Sequence, residues 1–309
     1  MKKLFVLLGV SLVVAIGFCG CGKEAEARAE AKAKDEAKAR AKEKAKARAR
    51  AEAEAEAGET LRTGVVTLPG DVSLKMIKVE PGSFMMGSEN GRSNEKPVHR
   101  VTLTKPYYLG ETEVTQAQWR AVMGTTVEEQ RDKAYTSWPL RGVGDNNPIY
   151  YVNWHEAIAF CQKLNEQGKA PKGWKFTLPT EAQWEYAARG GNKSKDYTYS
   201  GSNDINKVAW YYDNSGLQTH DVGGRKPNEL GFYDMSGNVE EWCLDWYAAD
   251  YGEGAVTDPQ GLDNGSVRVL RGGSWRSIAR HCRSAYRSYG SPGYLKYDCG
   301  FRLALVPVQ

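Results

Sequence analysis

The stretch Leu178-Pro179-Thr180-Glu181-Ala182-Gln183-Trp184-Glu185-Tyr186-Ala187-Ala188-Arg189-Gly190-Gly191 decides how the chain is read. Thr180 precedes a run of good helix formers, so a helix over Glu181 to Arg189 capped by Thr180 is predicted. Upstream, Trp174-Lys175-Phe176-Thr177 reads as a strand that Pro179 ends. Downstream the composition changes: Gly, Asn, Asp, Ser, Tyr and Trp dominate and long apolar runs are few. Such composition predicts long surface loops with little regular structure.

Working outward, Trp154 to Glu166 and Glu113 to Met123 have helical spacing, the second opened by Thr112 or Thr115. Met76 to Val79, Phe84 to Gly87, His99 to Leu103 and Tyr107 to Leu109 read as short strands. These elements, unevenly distributed, read as one domain over 65–309.

Before it the chain is of another kind. Lys2 and Lys3 precede an apolar run, Leu4 to Phe18, too short for an ordinary membrane span. Residues 1–21 therefore read as an export signal. Gly20-Cys21 is similar to a bacterial lipobox, although Phe18 stands where an aliphatic residue is usual. Acylated Cys21 would anchor the protein to a membrane of the bacterial cell envelope, facing the periplasm or the exterior, without spanning it. Residues 22–58 are almost entirely Ala, Glu, Lys and Arg. Without Leu, Ile, Val or Phe at heptad positions there is no seam for a coiled coil, whereas opposite charges three and four residues apart support an isolated helix. The segment reads as a solvated spacer, roughly 50 Å long if wholly helical. A disordered charged linker would serve the same end less stiffly.

The formal charge of +4 averages a charged spacer over a domain of mixed charge, so it gives no sign of a nucleic-acid partner. The chain is expected to be a monomer that binds a protein, peptide or carbohydrate. Cys161, Cys243, Cys282 and Cys299 fall in the domain. An even number in an exported protein favours disulfides. Connectivity is not readable from spacing alone; Cys243 with Cys282 and Cys161 with Cys299 is the preferred pairing. A zinc site would need the tight Cys-x-x-Cys spacing that is missing.

Several separated motifs point to one family. In order they are Gly82-Ser83-Phe84-Met85-Met86-Gly87-Ser88, Glu113-Val114-Thr115-Gln116, Pro148-Ile149-Tyr150-Tyr151-Val152-Asn153-Trp154, the stretch from Leu178, Gly231-Phe232-Tyr233-Asp234-Met235-Ser236-Gly237-Asn238-Val239, Arg271-Gly272-Gly273-Ser274-Trp275 and Gly300-Phe301-Arg302-Leu303-Ala304. Together they resemble the formylglycine-generating enzyme (sulfatase-modifying factor) family. The resemblance implies a C-type-lectin-like α+β fold with little regular secondary structure and, in active members, two thiolates holding Cu(I) for oxidation of a sulfatase cysteine to formylglycine.

Matching on Arg271-Gly272-Gly273-Ser274 puts the two family cysteines at Ser277 and Cys282. A hydroxyl is a poor ligand for soft Cu(I), so the copper site is expected to be incomplete. Glu240 stands where active members carry a tryptophan, and Ser274 matches an active-site serine. A family calcium loop is matched by Asp234, Ser236, Gly237 and Asn238, with Asn206 a weaker candidate for a second site; an Asx turn is the plain alternative. The four histidines, His99, His155, His220 and His281, are too scattered to suggest the iron site of related sulfoxide synthases.

The tail is also similar in layout to the variable proteins of diversity-generating retroelements, surface lipoproteins of the same fold. Clusters Arg276-Ser277-Ile278, Ser288-Tyr289-Gly290 and Gly293-Tyr294-Leu295 alternate with scaffold-like residues. Every residue in them is reachable by mutating the adenines of an AAC codon. Tyr, Ser, Gly and Arg on loops suit adaptable recognition. Arg276, Ile278, Tyr289, Tyr294 and Tyr297 form the expected contact surface. A neighbouring reverse transcriptase would favour this reading, and a neighbouring sulfatase would favour maturation.

Overall fold

A computed structural model describes residues 28, 30–46, 48, 64–134 and 137–308. The export signal, Cys21 and most of the boundary before residue 64 lie outside the described residues. Residues 30–46 form an exposed helix in which Lys34 pairs with Glu30 at 3.0 Å, one turn apart. No helix among the described residues is long and apolar enough to cross a membrane.

In the domain the expected helices appear with small changes. Helix α1 (Gln116–Met123) starts later than predicted because Thr115, not Thr112, caps it: its Oγ1 accepts from the amide of Gln118, whose side chain returns to Thr115 N. Helix α2 (Val127–Lys133), which the sequence reading omitted, is opened by the same reciprocal pairing between Thr126 and Glu129. Helix α3 (Trp154–Glu166) is capped by Asn153, and α4 (Glu181–Ala188) by Thr180. One short turn, α5 (Ile205–Val208), follows.

Among the described residues the strands form three sheets. The five-stranded sheet runs β1 (Val65–Thr67), β2 (Ser73–Val79), β5 (Tyr107–Gly110), β12 (Ala304–Pro307), β6 (Trp174–Thr177). The C-terminal strand thus lies between two strands from the first half of the domain, pairing Ala304 with both Leu109 and Thr177. A four-stranded sheet runs β10 (Ser288–Gly290), β9 (Arg268–Arg271), β7 (Glu240–Trp246), β11 (Cys299–Gly300), and a three-stranded one runs β3 (Gly82–Met86), β4 (His99–Leu103), β8 (Val256–Thr257). The second half therefore holds more strand than its composition suggested. β7 reads Glu-Glu-Trp-Cys-Leu-Asp-Trp and is buried at five of its first six positions, so alternation is masked.

Trp119, Trp184 and Trp242 are fully enclosed, as large core aromatics. Buried ion pairs join the motifs. Glu181 and Glu185, one turn apart on α4, receive Arg271, and Glu181 also receives Arg287 through Nε at 2.6 Å and Nη2 at 2.8 Å. Burial would raise the Glu185 carboxyl, but Arg189 and Arg271 outweigh it and hold the group below its ordinary value. Arg302 grips Glu241 through two nitrogens, and Trp184 Nε1 donates to the same carboxylate at 2.7 Å. The deciding stretch is thus tied to the Arg271 and Arg302 motifs far downstream.

The expected disulfides are absent. Cys161, Cys243, Cys282 and Cys299 are all free and buried. Cys243 lies in the cluster containing Trp184 and Val269 and Cys282 in a separate one with Ile205 and Tyr211, while Cys161 and Cys299 belong to a third cluster. Cys161 sits on α3, and Cys299 Sγ faces Glu240 Oε2 at 3.6 Å. A thiol in such surroundings behaves as a small hydrophobe.

Candidate functional site

The Arg271-Gly272-Gly273-Ser274 turn leaves the end of β9 and reverses through two left-handed glycines. A Cβ on Gly273 would lie 2.7 Å from the His281 carbonyl and 2.9 Å from Cys282 Sγ, so only glycine lets these segments touch. Beyond it the turn closes on itself. Ser277 Oγ accepts from Ser274 N at 3.0 Å, and Ser274 Oγ donates to Asp298 Oδ2 at 3.2 Å.

Cys282 follows a 3-10 turn (Ala279–His281) and is fully enclosed. Burial, then the negative charge of Glu240, pushes its thiol far above the usual range. Glu240 opens β7 opposite Cys299 in the parallel β7–β11 register. Its carboxylate is in contact with the ammonium of Lys296, which also stands 3.6 Å from Asp298 Oδ1. Burial alone would lower the Lys296 ammonium; Cys299, Glu240 and Asp298 together hold it above its ordinary value. Burial and then Glu240 raise the Asp298 carboxyl.

Lys296 and Asp298 escaped the sequence reading, and Cys299 was expected in a disulfide. The signal available was Glu240, since an acid at a buried position calls for a cation, and Lys296 lies just before the Gly300-Phe301-Arg302 motif. Among the described residues, Glu240, Asp298 and Cys299 are the one group of three with potential ligand atoms within 4.8 Å of one another. The set does not fit Cu(I). It offers one sulfur and two carboxylates already engaged by Lys296, and burial keeps Cys299 protonated. Cys282 with Ser277 does not fit either, because the serine oxygen accepts from a backbone amide and stays a hydroxyl.

The residues expected at calcium are held in several ways. Asn238 Oδ1 accepts from His220 N at 3.0 Å and its Nδ2 donates to the His220 carbonyl at 3.2 Å. Ser236 Oγ donates to the Cys282 carbonyl and accepts from Ser200 N. Gly237 is left-handed, and a Cβ there would lie 2.2 Å from the Trp210 carbonyl. Asn206 bonds Tyr211 and Arg225. Only Asp234 retains capacity: Oδ2 accepts from Gly223 N at 2.6 Å, while buried Oδ1 has no hydrogen bond. Burial raises its carboxyl to about 6, with Glu241 adding to the rise against Gly223 and Arg302. Glu113, also buried, is raised by burial and by Asp234 and Glu241. Glu113 is engaged on both oxygens, by Val239 N and Asn238 Nδ2, so Asp234 Oδ1 is the one hard side-chain oxygen of the expected loop left open to a cation.

Of the expected contact surface, Ile278, Tyr289 and Tyr294 are more than 40 % exposed. The Arg276 guanidinium lies 4.8 Å from the centre of the Tyr297 ring. Tyr294 and Tyr297 share a cleft with Trp138 and Tyr151, whereas Tyr289 packs on Tyr247 at 4.5 Å. Sequence reasoning missed Trp138, whose loop carries no motif.

A motif-bearing α+β scaffold with its Arg271 turn over Glu181 and Glu185 defines a formylglycine-generating-enzyme type of domain. The sulfatase-modifying factor enzyme 1-like domain model matches residues 67–306, and the chain belongs to that family. It is 32% identical over 278 residues to "Chaperone protein LppX" of Paenibacillus barcinonensis, covering 75% of this chain and 89% of that protein. It is 29% identical over 288 residues to a formylglycine-generating enzyme of Streptomyces coelicolor, covering 74% of this chain and 88% of the other. Among solved structures, "Treponema denticola variable protein 1" superposes with a TM-score of 0.69 at 35% identity, covering 79% of this chain and 98% of that one.

Proposed function

We propose that this protein is a recognition member of the family, held outside the cytoplasm by a lipid on Cys21, which binds a partner through its C-terminal loops. The observation that carries this reading is the Ser277 hydroxyl, engaged by Ser274 N at 3.0 Å where a copper thiolate would be needed. The likeness to a protein named as variable supports the same reading. We place one calcium ion on the Asp234–Asn238 loop, at Asp234 Oδ1, as a structural element.

The oxidase reading is favoured by the Streptomyces coelicolor relative. Anaerobic Cu(I) titration of the reduced protein, followed by oxygen turnover on a Cys-x-Pro-x-Arg peptide, separates the two. The recognition reading expects neither stoichiometric copper nor loss of the peptide thiol. Both together would overturn it.

A further inference from the structure

Met86 of β3, His99 of β4, Val256 of β8 and Asp245 of β7 line an open pocket of about 180 Å³. Its wall is mostly apolar, and Leu262, 50% exposed, carries that wall out to solvent. None of Arg276, Ile278, Tyr289, Tyr294 and Tyr297 lines it, so the pocket is separate from the C-terminal recognition surface.

Two acceptors on its lining residues lack donors. Asp245 is 5% exposed and His99 8%. Asp245 Oδ2 accepts from Glu181 N at 2.8 Å, and no other residue among those described bonds Oδ1. His99 Nδ1 lies 3.0 Å from the Pro97 carbonyl, which only accepts, so Nδ1 carries the proton and Nε2 is a bare acceptor. Neither Asp245 Oδ1 nor His99 Nε2 is among the polar atoms closed to solvent without a partner, so both stay open. Burial first and Glu181 next push the Asp245 carboxyl up to about 7. A cation beside it would favour the charged form. Glu181 also lines the pocket, but Arg271, Arg287 and Tyr251 engage its oxygens. Exposed Asp250 adds negative charge at the same pocket.

This set selects one kind of cation. A hard metal ion takes about six oxygens, whereas one carboxylate oxygen of Asp245 is open. A guanidinium fork needs two parallel oxygens, and Oδ2 is already bonded. A quaternary ammonium donates nothing and needs ring faces, but Arg268 lies 3.4 Å from the centre of the Trp246 ring and Arg287 4.1 Å from that of Tyr251. A primary ammonium brings charge and N–H donors together. We propose that this pocket binds a primary alkylammonium, its nitrogen donating to Asp245 Oδ1 and its chain lying along Met86, Val256 and Leu262. His99 Nε2 takes a second N–H, directly or through water. The volume is below the roughly 300 Å³ at which small-molecule pockets begin, so it suits a chain of about four carbons. A free amine and the lysine side chain of a partner share this chemistry.

The test titrates the full exported protein, in mildly alkaline buffer where Asp245 is ionised, with n-butylamine and separately with N-acetyl-lysine methylamide. Ligand-observed NMR and tryptophan fluorescence read the binding. Butanol, choline and N-acetyl-arginine methylamide serve as uncharged, quaternary and guanidinium controls. n-Butylammonium is expected to saturate with a millimolar Kd, at least about tenfold tighter than any control. Asp245→Asn, which keeps the size of the side chain, should weaken binding at least about tenfold, and Leu262→Ala severalfold. Leu262 is half exposed, so its replacement leaves the core intact and decides the matter if Asp245→Asn fails to fold. Saturation by the lysine derivative as well assigns the pocket to a partner's side chain, and saturation by butylamine alone assigns it to free amines. No saturable response to n-butylammonium, a control that binds as tightly, or unchanged binding in the deciding variant overturns the proposal. Such a failure leaves the recognition reading standing, because the two rest on different surfaces.

Discussion

Ser277 Oγ accepts from Ser274 N at 3.0 Å and lies 3.3 Å from the Ser274 hydroxyl, so the turn is completed by oxygen at a position where the family's enzymes carry sulfur. Cys282, the other family position, keeps its thiol. Ser277→Cys therefore restores the pair without altering the glycines that shape the turn. The variant is expected to bind one equivalent of Cu(I) at least about 100-fold more tightly than the parent chain. Competition with a chromogenic Cu(I) chelator measures this. Equal affinities would mean that the serine is not what prevents copper binding.

Arg302 and Glu241 are both fully buried and joined by two hydrogen bonds of 2.6 and 2.7 Å. Arg302→Met leaves the carboxylate with Trp184 Nε1 but no cation, and should cost about 3–5 kcal/mol in urea unfolding. By contrast Lys75→Met breaks a pair with Glu111 in which the lysine is 58% exposed, and should cost less than about 1 kcal/mol. Similar costs for the two variants would sink the distinction.

These networks show what was legible in the sequence and what was not. Helical spacing and helix formers act locally, so α3 could be placed from Trp154 and α4 from its cap Thr180 onward. The same capping pattern at Thr126 and Glu129 was present but unread, because α2 offers only a short, largely charged run. β7 and β9 were missed for a different reason. Their residues face protein on both sides, so neither strand carries the period of two that reveals a half-buried one. At the site, Ser277 and Glu240 were visible as departures from a motif. Lys296 became visible only through its contact with Glu240, 56 residues away.

The thiols give the plainest check on the cysteine pairing. Cys161, Cys243, Cys282 and Cys299 are free, and burial raises each above its ordinary value. Iodoacetamide should label none of them in native protein, since the thiolate is the reactive form. In urea without reductant, peptide mass spectrometry should find all four carbamidomethylated. Labelling that appears only after reduction would restore the disulfide reading.

Asp234 ties calcium to pH. Its folded carboxyl is raised to about 6 by burial first and Glu241 next, against about 3.9 for an unfolded aspartate. In metal-free protein, the stability from this group is therefore fully present below about pH 4 and lost as pH rises through 6. Calcium binds the ionised form, so its contribution runs the other way, present above about 6 and fading below it. With Ca²⁺ at about 100 Kd the gain is roughly 2.7 kcal/mol, or about 5–10 °C in Tm for a domain of this size. Thermal melts with and without Ca²⁺ should show that shift at pH 7.5 and little at pH 5. Asp234→Asn should abolish the shift at pH 7.5 and flatten the metal-free profile between pH 4 and 6. A calcium effect equal at both pH values, or one that persists in Asp234→Asn, would place the ion elsewhere.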